Sequence, residues 1–500
     1  MRILAPLLVL LVLPAASQTP PPSTQDLEEA VHRFVAVLAT AMDNAAERPD
    51  LDAAIYRGAI PAMLRPLDPH SVFFDREQFE QLKEMERSVT KGFGTIVSIL
   101  PGRVIILQTM PGSPSQKAGL APGDEILAIN NIPLAFLDLD QLLQLLSYSR
   151  QREAQLLVRR QGEARPVQVT LSPAELDSPS VDRTFLLEPG IGYIRISSFD
   201  AKTADALREA VQKLGGERLR GLVLDLRDNQ GGVVQSAVAA AALFLEPGSV
   251  LFSARGRNTP LEEVKVPEGF TPFRFKLAVL VNGRTASAAE LFTGAIQDND
   301  RGAVLGEPTF GKGLVQRVYP LSEGTGLALT TAFYYTPSGR SIQKPLHGTG
   351  LERALDRQPR EFLTRLGRKV RGGGGIEPDF IVYRQAYSPF GRVLEASGAY
   401  PNFATEWLKS HAGNVDPSLE ITPEILDEFQ LWLSRRNIRP TVAEWTAERE
   451  IMRRRLKQEI LNQAVGVAAG DEVELKADPV VRRAVSLLTA DAAAPQRTLP

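Results

Sequence analysis

Apolar residues recur every three or four positions in the first and last parts of the chain, a spacing typical of amphipathic helices. Residues 25–88 show this pattern in three stretches, which predicts a helical N-terminal region. Residues 384–500 show it again in ITPEILDEFQLWL, VAEWTAEREIMRRRLKQEILNQAV and DPVVRRAVSLL. The pattern predicts a helical C-terminal domain, but it does not decide whether that domain packs on the rest of the chain, caps it or forms a dimer.

The stretch between these helical regions has two different patterns. Residues 89–172 consist of short runs such as GTIVSIL and RVIILQTM, broken by Pro/Gly turns, which predicts a small strand-rich domain. In residues 180–383, apolar strands such as GLVLDLR and KLAVLV alternate with helical stretches. That alternation is expected of an α/β core, so the predicted fold class is an α/β multi-domain protein.

The N-terminus has the pattern of a secretory signal peptide. The positively charged Arg2 precedes the apolar run 3–13, and the small residues of a typical cleavage site follow that run. We expect residues 1–17 to form the signal peptide, with cleavage after Ala16 or Ser17, and residues 18–24 to form a linker. The alternative is a short membrane anchor, but the run is shorter than the roughly 20 apolar residues of a spanning helix. The expected location is the periplasm or the extracellular space, with membrane association left open.

Composition and charge narrow the function classes. A chain of 500 residues is long enough for about three domains. Its net charge of −2 gives no basic field, so no nucleic-acid partner is expected. With no cysteine and only four histidines, a Cys-based zinc site is excluded and a His-rich site is not expected. We therefore predict neither a metal ion nor another cofactor.

The run GEPTFGK, which ends at Lys312, matches the G-x-x-x-x-G-K part of a phosphate-binding P-loop. The next position of a P-loop is Ser or Thr, which holds Mg²⁺, but here it is Gly313. A P-loop also opens a helix, whereas the following LVQRVYPL alternates like a strand. The nucleotide-binding interpretation therefore fails twice, and a serine nucleophile with a lysine base becomes the better hypothesis.

Ser287 lies in Thr-Ala-Ser-Ala-Ala-Glu and has two interpretations. With Glu290 it fits the S-x-x-E capping box, which satisfies the first amides of a helix. The same strand-to-helix turn also suits a nucleophile, because the flanking alanines leave the hydroxyl accessible. The start of the helix would direct its positive end toward an oxyanion formed there.

Lys312 acts as a general base only if its pKa falls by several units, which burial in an apolar site can cause. Phe310 and Leu314 are the neighbours that would form such a site, although most lysines are solvated surface charges. Gln316 lies four residues further on, on the same face of an extended strand. Its amide is therefore a candidate for orienting Lys312.

Gly231 and Gly232 end the polar turn DLRDNQGG, which follows a predicted buried strand. Glycine permits a tight turn, and it also lets a backbone N–H approach a substrate carbonyl closely. Either glycine, together with the N–H of Ala288, would form an oxyanion hole.

The strand-rich stretch 89–172 resembles a PDZ domain, most specifically in PGDEILAINNIPL. In that family, a glycine-containing loop before the first strand binds the terminal carboxylate of a peptide, which adds as an extra strand. The resemblance places this loop and strand at Gly92, Phe93, Gly94, Thr95 and Ile96. Thr95 departs from the small or apolar residue that is usual there. The alternative is a small β-rich domain without a peptide ligand.

Taken in order, the motifs resemble those of the carboxyl-terminal processing (tail-specific) serine proteases. The matching runs are LDPHS, the PDZ stretch, DLRDNQGG, NGRTASAAELFTGAIQDNDRG, GEPTFGKGLVQ, YYTPSGRSIQ and GGGIEPD, within residues 25–385. The resemblance implies that Ser287 is the nucleophile, Lys312 the general base and Gln316 the residue that orients the base. It also implies a ClpP/crotonase-like αββ protease core at 180–383, with the PDZ domain inserted before it.

The chain departs from the family pattern in two places. Residues 344–372 separate RSIQ from GGGIEPD by more than in many relatives, and would form a flap or a surface loop. After residue 385 the match is loose, so the oligomeric state of the family does not transfer.

The resemblance implies an exported, ATP-independent serine endopeptidase that recognises C-terminal tails through its PDZ domain and cleaves with a Ser–Lys dyad via an acyl-enzyme. Its partners would be protein or peptide substrates with apolar C-termini. The resemblance does not decide whether the protein also binds an adaptor or activator protein or forms a homo-oligomer. Two alternatives are a PDZ-containing peptide-binding scaffold on an inactive protease core and an acyl-CoA enzyme of the crotonase type. Retention of the Ser–Lys–Gln set argues against the first, and the PDZ insertion against the second.

Overall fold

The structure is a computed structural model of the chain, which forms two compact units, Met1–Arg65 and Pro66–Pro500. The predicted signal peptide at 1–17 and most of the predicted linker lie outside the described residues. The described residues are 23–47, 49–86, 89–100, 102–110, 112–150, 152–160, 163, 165–177, 179–346, 361–383, 387–411 and 415–490.

The described residues of the first unit contain helices, as predicted for this part of the chain. α1 (Thr24–Asn44) begins with a capping box, in which the Ser23 hydroxyl accepts from the Asp26 N–H and the Asp26 carboxylate accepts from the Ser23 N–H. The second predicted helix starts as a π-helical segment (Ala53–Ala59) and continues as α2 (Ile60–Leu64). The apolar side chains of α1 are largely exposed within this unit.

The second unit combines sheets and helices. Its strands are β1 (Val72–Phe74), β2 (Val89–Gly92), β3 (Thr95–Leu100), β4 (Arg103–Thr109), β5 (Glu125–Ile129), β6 (Ile132–Pro133), β7 (Ala154–Arg159), β8 (Val167–Leu171), β9 (Ala174–Asp177), β10 (Val181–Glu188), β11 (Ile191–Ile196), β12 (Gly221–Asp225), β13 (Val250–Arg255), β14 (Glu262–Lys265), β15 (Lys276–Val281), β16 (Ala303–Gly306), β17 (Leu314–Pro320), β18 (Gly326–Tyr335), β19 (Glu361–Leu363), β20 (Lys369–Arg371) and β21 (Phe380–Ile381). Its helices are α3 (Arg76–Glu86), α4 (Pro114–Lys117), α5 (Leu139–Ser149), α6 (Thr203–Lys213), α7 (Val234–Ala242), α8 (Ala288–Asp298), α9 (Pro389–Ala396), α10 (Ala399–Ser410), α11 (Pro423–Ser434), α12 (Val442–Ala464), α13 (Val467–Ala477) and α14 (Pro479–Thr489).

The stretch that resembles a PDZ domain forms its own antiparallel sheet. The strands follow the order β3-β4-β5-β7-β8, with β6 paired to β5. β7 alternates strictly between buried and exposed residues, because one face of the sheet covers an apolar core that includes Ile106, Leu142 and Leu156. β3 is an edge strand of this sheet, so its outer side can accept an added strand.

A mostly parallel sheet organises the α/β core. Its order is β10-β11-β12-β15-β16-β21, and all neighbours except β10 and β11 are parallel. β12 is buried throughout, as its continuous apolar sequence predicted. Helices α6, α7 and α8 cover one face of the sheet. The parallel strands end at one common edge, where the turns DLRDNQGG and NGRTAS follow β12 and β15.

A second, antiparallel sheet carries the segments around Lys312. β18 is its centre and pairs with β1, β13 and β17. The run after the P-loop-like sequence is therefore the strand β17, as predicted. The register of β17 against β18 shifts between Val315 and Gln316.

The C-terminal region packs on the core, one of the arrangements that the sequence left open. Helices α9 to α12 enclose an apolar cluster of their own, which includes Phe403, Phe429 and Leu456. α14 instead covers the second face of the parallel sheet. Its side chains Val480, Val481, Ala484 and Leu488 pack with Ile191, Tyr193, Val223, Ala278, Leu280 and Leu305.

The same region also contacts the strand-rich domain. The Arg103 Nη1 donates to Asn402 Oδ1 at 2.7 Å, and the Val467 N–H at the start of α13 donates to Gln108 Oε1 at 3.2 Å. The C-terminal helices therefore join the strand-rich domain to the core.

Two kinds of feature are absent from the described part of the chain. None of its helices is both long and apolar enough to cross a membrane. Among the same residues, no group of three His, Asp or Glu side chains is placed to hold a metal ion.

Candidate active site

Ser287 lies in the tight turn between β15 and α8. The turn is closed by Asn282 and Thr285, whose backbone N–H groups donate to the Thr285 hydroxyl and the Asn282 carbonyl. Ser287 has φ 56° and ψ −121°, a conformation that L residues rarely adopt and that costs about 1–3 kcal/mol. Such strain at a strand-to-helix turn is a feature of exposed serine nucleophiles.

Gly231 lies close to the candidate nucleophile and to the start of α8. It has φ 100°, and a Cβ added to it would lie 2.8 Å from the Ser287 Cβ and 2.9 Å from the Ala288 nitrogen. Any larger residue would therefore displace the nucleophile or the start of α8.

The backbone donors at the site are not equivalent. The Gly231 N–H donates to the Asn229 Oδ1 at 2.8 Å, so it is already engaged within the turn. The N–H groups of Gly232 and Ala288 have no acceptor among the residues that the structure describes. Of the two predicted glycines, Gly232 is thus the one whose N–H is available to an oxyanion together with that of Ala288.

Lys312 follows β16 and precedes β17, with a half-buried side chain. Burial lowers the pKa of Lys312, and the negative charge of Asp68 opposes this shift. Leu314 is 3% exposed, but Phe310 is 48% exposed, so the predicted apolar wall is formed on one side only. No hydrogen bond joins the side chains of Ser287 and Lys312, both of which lie in the described part of the chain.

Glu290 connects the nucleophile and the lysine. Its Oε2 accepts from the backbone N–H of Ser287 at 2.9 Å and of Lys312 at 2.8 Å. Its Oε1 accepts from the Thr309 hydroxyl at 2.5 Å and the Gly311 N–H at 2.7 Å. The side chain is fully buried; burial raises the pKa of Glu290, and the four donors oppose that shift. One carboxylate therefore fixes both segments of the site.

Gln316 shares no hydrogen bond with Lys312 among the described residues, although the strand pattern predicts that they lie on the same face. Its Nε2 donates to the His70 carbonyl at 2.6 Å. Lys312 lies before the start of β17, and the register shift at Val315 interrupts the alternation on which the same-face argument depended. The orienting role of Gln316 stays a prediction.

LDPHS brings two titratable groups that the sequence analysis did not assign. Asp68 is 2% exposed and accepts from the N–H groups of His70 and Ser71 and from the Ser71 hydroxyl. Burial and the positive charge of Lys312 lower the pKa of His70, while Asp68 raises it. The run was noted only as a family match, and no local pattern shows that it lies beside Lys312.

The predicted peptide-binding residues Gly92, Phe93, Gly94, Thr95 and Ile96 lie in the strand-rich domain, apart from this cluster. Gly94 has φ 74°, and a Cβ there would lie 2.3 Å from the Ser113 Cβ. The N–H groups of Ser115 and Met110 donate to the carbonyls of Phe93 and Gly94, which holds the loop against α4. Thr95 and Ile96 begin the edge strand β3.

Comparisons with known families match both the α/β core and the strand-rich domain. Residues 190–352 match the family described as Peptidase family S41, and residues 105–160 match a PDZ domain family. The chain is 34% identical over 292 residues to the carboxyl-terminal-processing protease of a Synechocystis species, which covers 57% of this chain and 68% of the relative. It is 32% identical over 300 residues to the chloroplastic carboxyl-terminal-processing peptidase 2 of Arabidopsis thaliana, covering 57% of this chain and 58% of that protein.

Among solved structures, the photosystem II D1 C-terminal processing protease is similar, with 25% identity and a TM-score of 0.40 over 70% of this chain and 86% of that one. The chain spans less than two thirds of the length of the Arabidopsis relative. The alignment to the Synechocystis protein covers more than two thirds of that protein's length. The region that matches Peptidase family S41 contains both Ser287 and Lys312. The chain therefore belongs to the carboxyl-terminal-processing protease family, a family of serine-type peptidases with a PDZ domain.

Proposed function

We propose that this protein is an exported, ATP-independent serine endopeptidase that cleaves proteins with a Ser287–Lys312 dyad. The observation that carries the proposal is the shared contact of Glu290 Oε2 with the backbone of Ser287 and Lys312. A carboxylate in that position keeps the nucleophile and the base in one rigid frame. Its burial and four hydrogen bonds fix the carboxylate between the two segments.

In the proposed reaction, the neutral amine of Lys312 takes the proton of the Ser287 hydroxyl as Oγ attacks the peptide carbonyl carbon. The N–H groups of Gly232 and Ala288 donate to the oxygen of the tetrahedral intermediate. Lys312 then returns the proton to the leaving amine, and water hydrolyses the acyl-enzyme. Catalytic hydrogen bonds are often formed only in the substrate complex, so the scheme does not require a Ser287–Lys312 hydrogen bond before the substrate binds.

The strand-rich domain would select the substrate. An apolar C-terminal tail would add to the free edge of β3, with its carboxylate at the loop that contains Gly94. The names of both relatives refer to carboxyl-terminal processing, which supports tail selection here. Mixed helix and sheet layers also support a ClpP/crotonase-like core, and the apolar N-terminal run supports export to the periplasm or beyond.

The test pairs the wild type with Ser287→Ala. Each protein is incubated with an unfolded reporter that ends in an apolar tail and with the same reporter ending in two aspartates, and intact mass is followed over time. A fluorophosphonate probe is applied in parallel, because it labels an activated serine whatever the natural substrate is. We expect cleavage and labelling by the wild type only, with faster cleavage of the apolar tail. No labelling of Ser287 in the wild type would support the inactive scaffold instead.

A further inference from the structure

We propose that Asp478, in the C-terminal helical region, is a positioning residue for the oxyanion loop, defined here as residues 226–232, and that it acts through Arg227. This inference rests on the proposed function, since it concerns the loop that presents Gly232 to the substrate. It gives the C-terminal helices a part in catalysis that the protease motifs do not include.

Arg227 is held between two carboxylates. Its Nε and Nη2 donate to Asp225 at the end of β12, at 2.6 to 3.0 Å, and its Nη1 donates to the Asp478 Oδ2 at 2.6 Å. Arg227 is 5% exposed, and the Asp478 side chain is 8% exposed. Asp225 is itself fixed, because it accepts from the hydroxyl of the buried Tyr193 at 2.7 Å. A buried guanidinium with this arrangement keeps one orientation.

Asp478 is placed by α14 and not by the loop it contacts. Its Oδ1 caps the helix by accepting from the N–H groups of Val480 and Val481 at 2.8 and 3.2 Å. Val480 and Val481 are buried on the second face of the parallel sheet. The two oxygens of one carboxylate thus connect a helix anchored on the sheet to the first residues of the oxyanion loop.

The loop transmits this constraint to the active site through its own hydrogen bonds. The Arg227 N–H donates to Asp225 Oδ1 and the Asn229 N–H to the Leu226 carbonyl, which fixes the turn behind Arg227. Asn229 then accepts from Gly231 through its side chain and from the Ala286 N–H through its carbonyl. The position of Gly232 relative to Ser287 is therefore set within a short series of contacts that begins at Arg227.

Loss of the Asp478 charge would leave Arg227 with one partner instead of two. A cavity of about 80 Å³ lies beside it and is also lined by Asp228, Asp471 and Glu474. These carboxylates offer the guanidinium an alternative orientation, because a buried charge moves toward the nearest compensating group. Such a movement would shift the oxyanion loop without breaking the fold.

The test uses Asp478→Asn, with Asp471→Asn as the matched control, in the full chain. Asn is as good an N-cap as Asp, so the variant keeps the helix start. It removes the negative charge that faces Arg227 and replaces the accepting Oδ2 with an amide donor. Asp471 makes an ion pair with Arg183 at the same interface, and no hydrogen bond or ion pair joins it to the described residues of the oxyanion loop. Rates are normalised to the fraction of Ser287 that the fluorophosphonate labels, so that unfolded protein does not count.

We expect kcat of Asp478→Asn to fall about tenfold, less than the 10²- to 10³-fold effect of deleting an oxyanion donor, with KM changed less than about twofold. We also expect faster amide hydrogen exchange in the peptide spanning 226–232, whereas Asp471→Asn should change neither quantity. Unchanged exchange in that peptide would overturn the inference whether or not the chain cleaves a reporter. Equal kcat in Asp478→Asn and an active wild type would overturn it as well, while an unlabelled wild type would count against the proposed function alone.

Discussion

The Glu290 carboxylate and the backbone of Lys312 are joined by a hydrogen bond of 2.8 Å, and the same Oε2 accepts from the backbone of Ser287 at 2.9 Å. The residue that the sequence presents as a helix cap therefore spans the candidate nucleophile and the candidate base. Helix capping and active-site assembly are here the work of one side chain.

Glu290→Gln should impair catalysis more than binding. The amide replaces one accepting oxygen with a donor, which leaves at least one buried N–H facing another donor. We expect the free energy of unfolding to fall by about 1–3 kcal/mol and kcat by roughly 10²-fold, with a small change in KM. Thr309→Val removes a donor from the opposite oxygen and also the acceptor of the Ile376 N–H, but it leaves Oε2 intact and should have a smaller effect on kcat. Equal losses in the two variants would contradict a special role for Oε2.

The strain at Ser287 predicts an inverse relation between stability and activity. Alanine keeps a side chain at φ 56° and ψ −121°, but glycine adopts that conformation freely. Ser287→Gly should therefore be more stable than Ser287→Ala by about 1 kcal/mol. This difference is the strain energy that glycine relieves, reduced by the larger conformational entropy that glycine gives the unfolded chain. Both variants should be inactive. Thermal unfolding of the two purified proteins measures the difference, and a less stable glycine variant would argue against strain at this turn.

The activity should rise from neutral to alkaline pH. Only the neutral amine of Lys312 accepts a proton, and because burial lowers the pKa of Lys312, the rise should occur below the value of about 10.4 for a free lysine. Asp68 raises that pKa, so Asp68→Asn should lower it and move the rising limb of kcat/KM toward lower pH. Asn retains an oxygen for the N–H groups of His70 and Ser71, which keeps the turn.

Lys312→Arg completes the pH test, because arginine stays protonated and should not restore cleavage at any pH. The measurement is a profile of kcat/KM between about pH 6 and 10 for the three proteins. A limb that moves to higher pH in Asp68→Asn would contradict the placement of its charge near Lys312.

Short motifs predicted the residues of the active site more fully than the distant residues that hold them in place. Ser287, Gly231 and Gly232 were identified because each lies in a turn whose local sequence restricts its conformation. The contacts of Gln316 with His70 and of Arg227 with Asp478 join residues 246 and 251 positions apart, which no local pattern shows. The sequence does not show β14 because most of its residues are polar and exposed. It does not show β13 because only half of that largely buried strand is a continuous apolar run, unlike β12 and β15.

Gly232→Ala tests the geometry of the oxyanion loop. Gly232 has φ 133°, and an added Cβ would lie 2.1 Å from the carbonyl oxygen of Phe199, so the backbone must move. We expect a loss of cleavage of at least about 10²-fold, because the displaced N–H no longer meets the oxyanion, together with about 1–3 kcal/mol of lost stability. Gly248→Ala is the control: it also has a positive φ of 77°, but nothing lies within 4 Å of the added Cβ. That variant should lose some stability and keep its activity per labelled Ser287. Full activity in Gly232→Ala would show that another group stabilises the oxyanion.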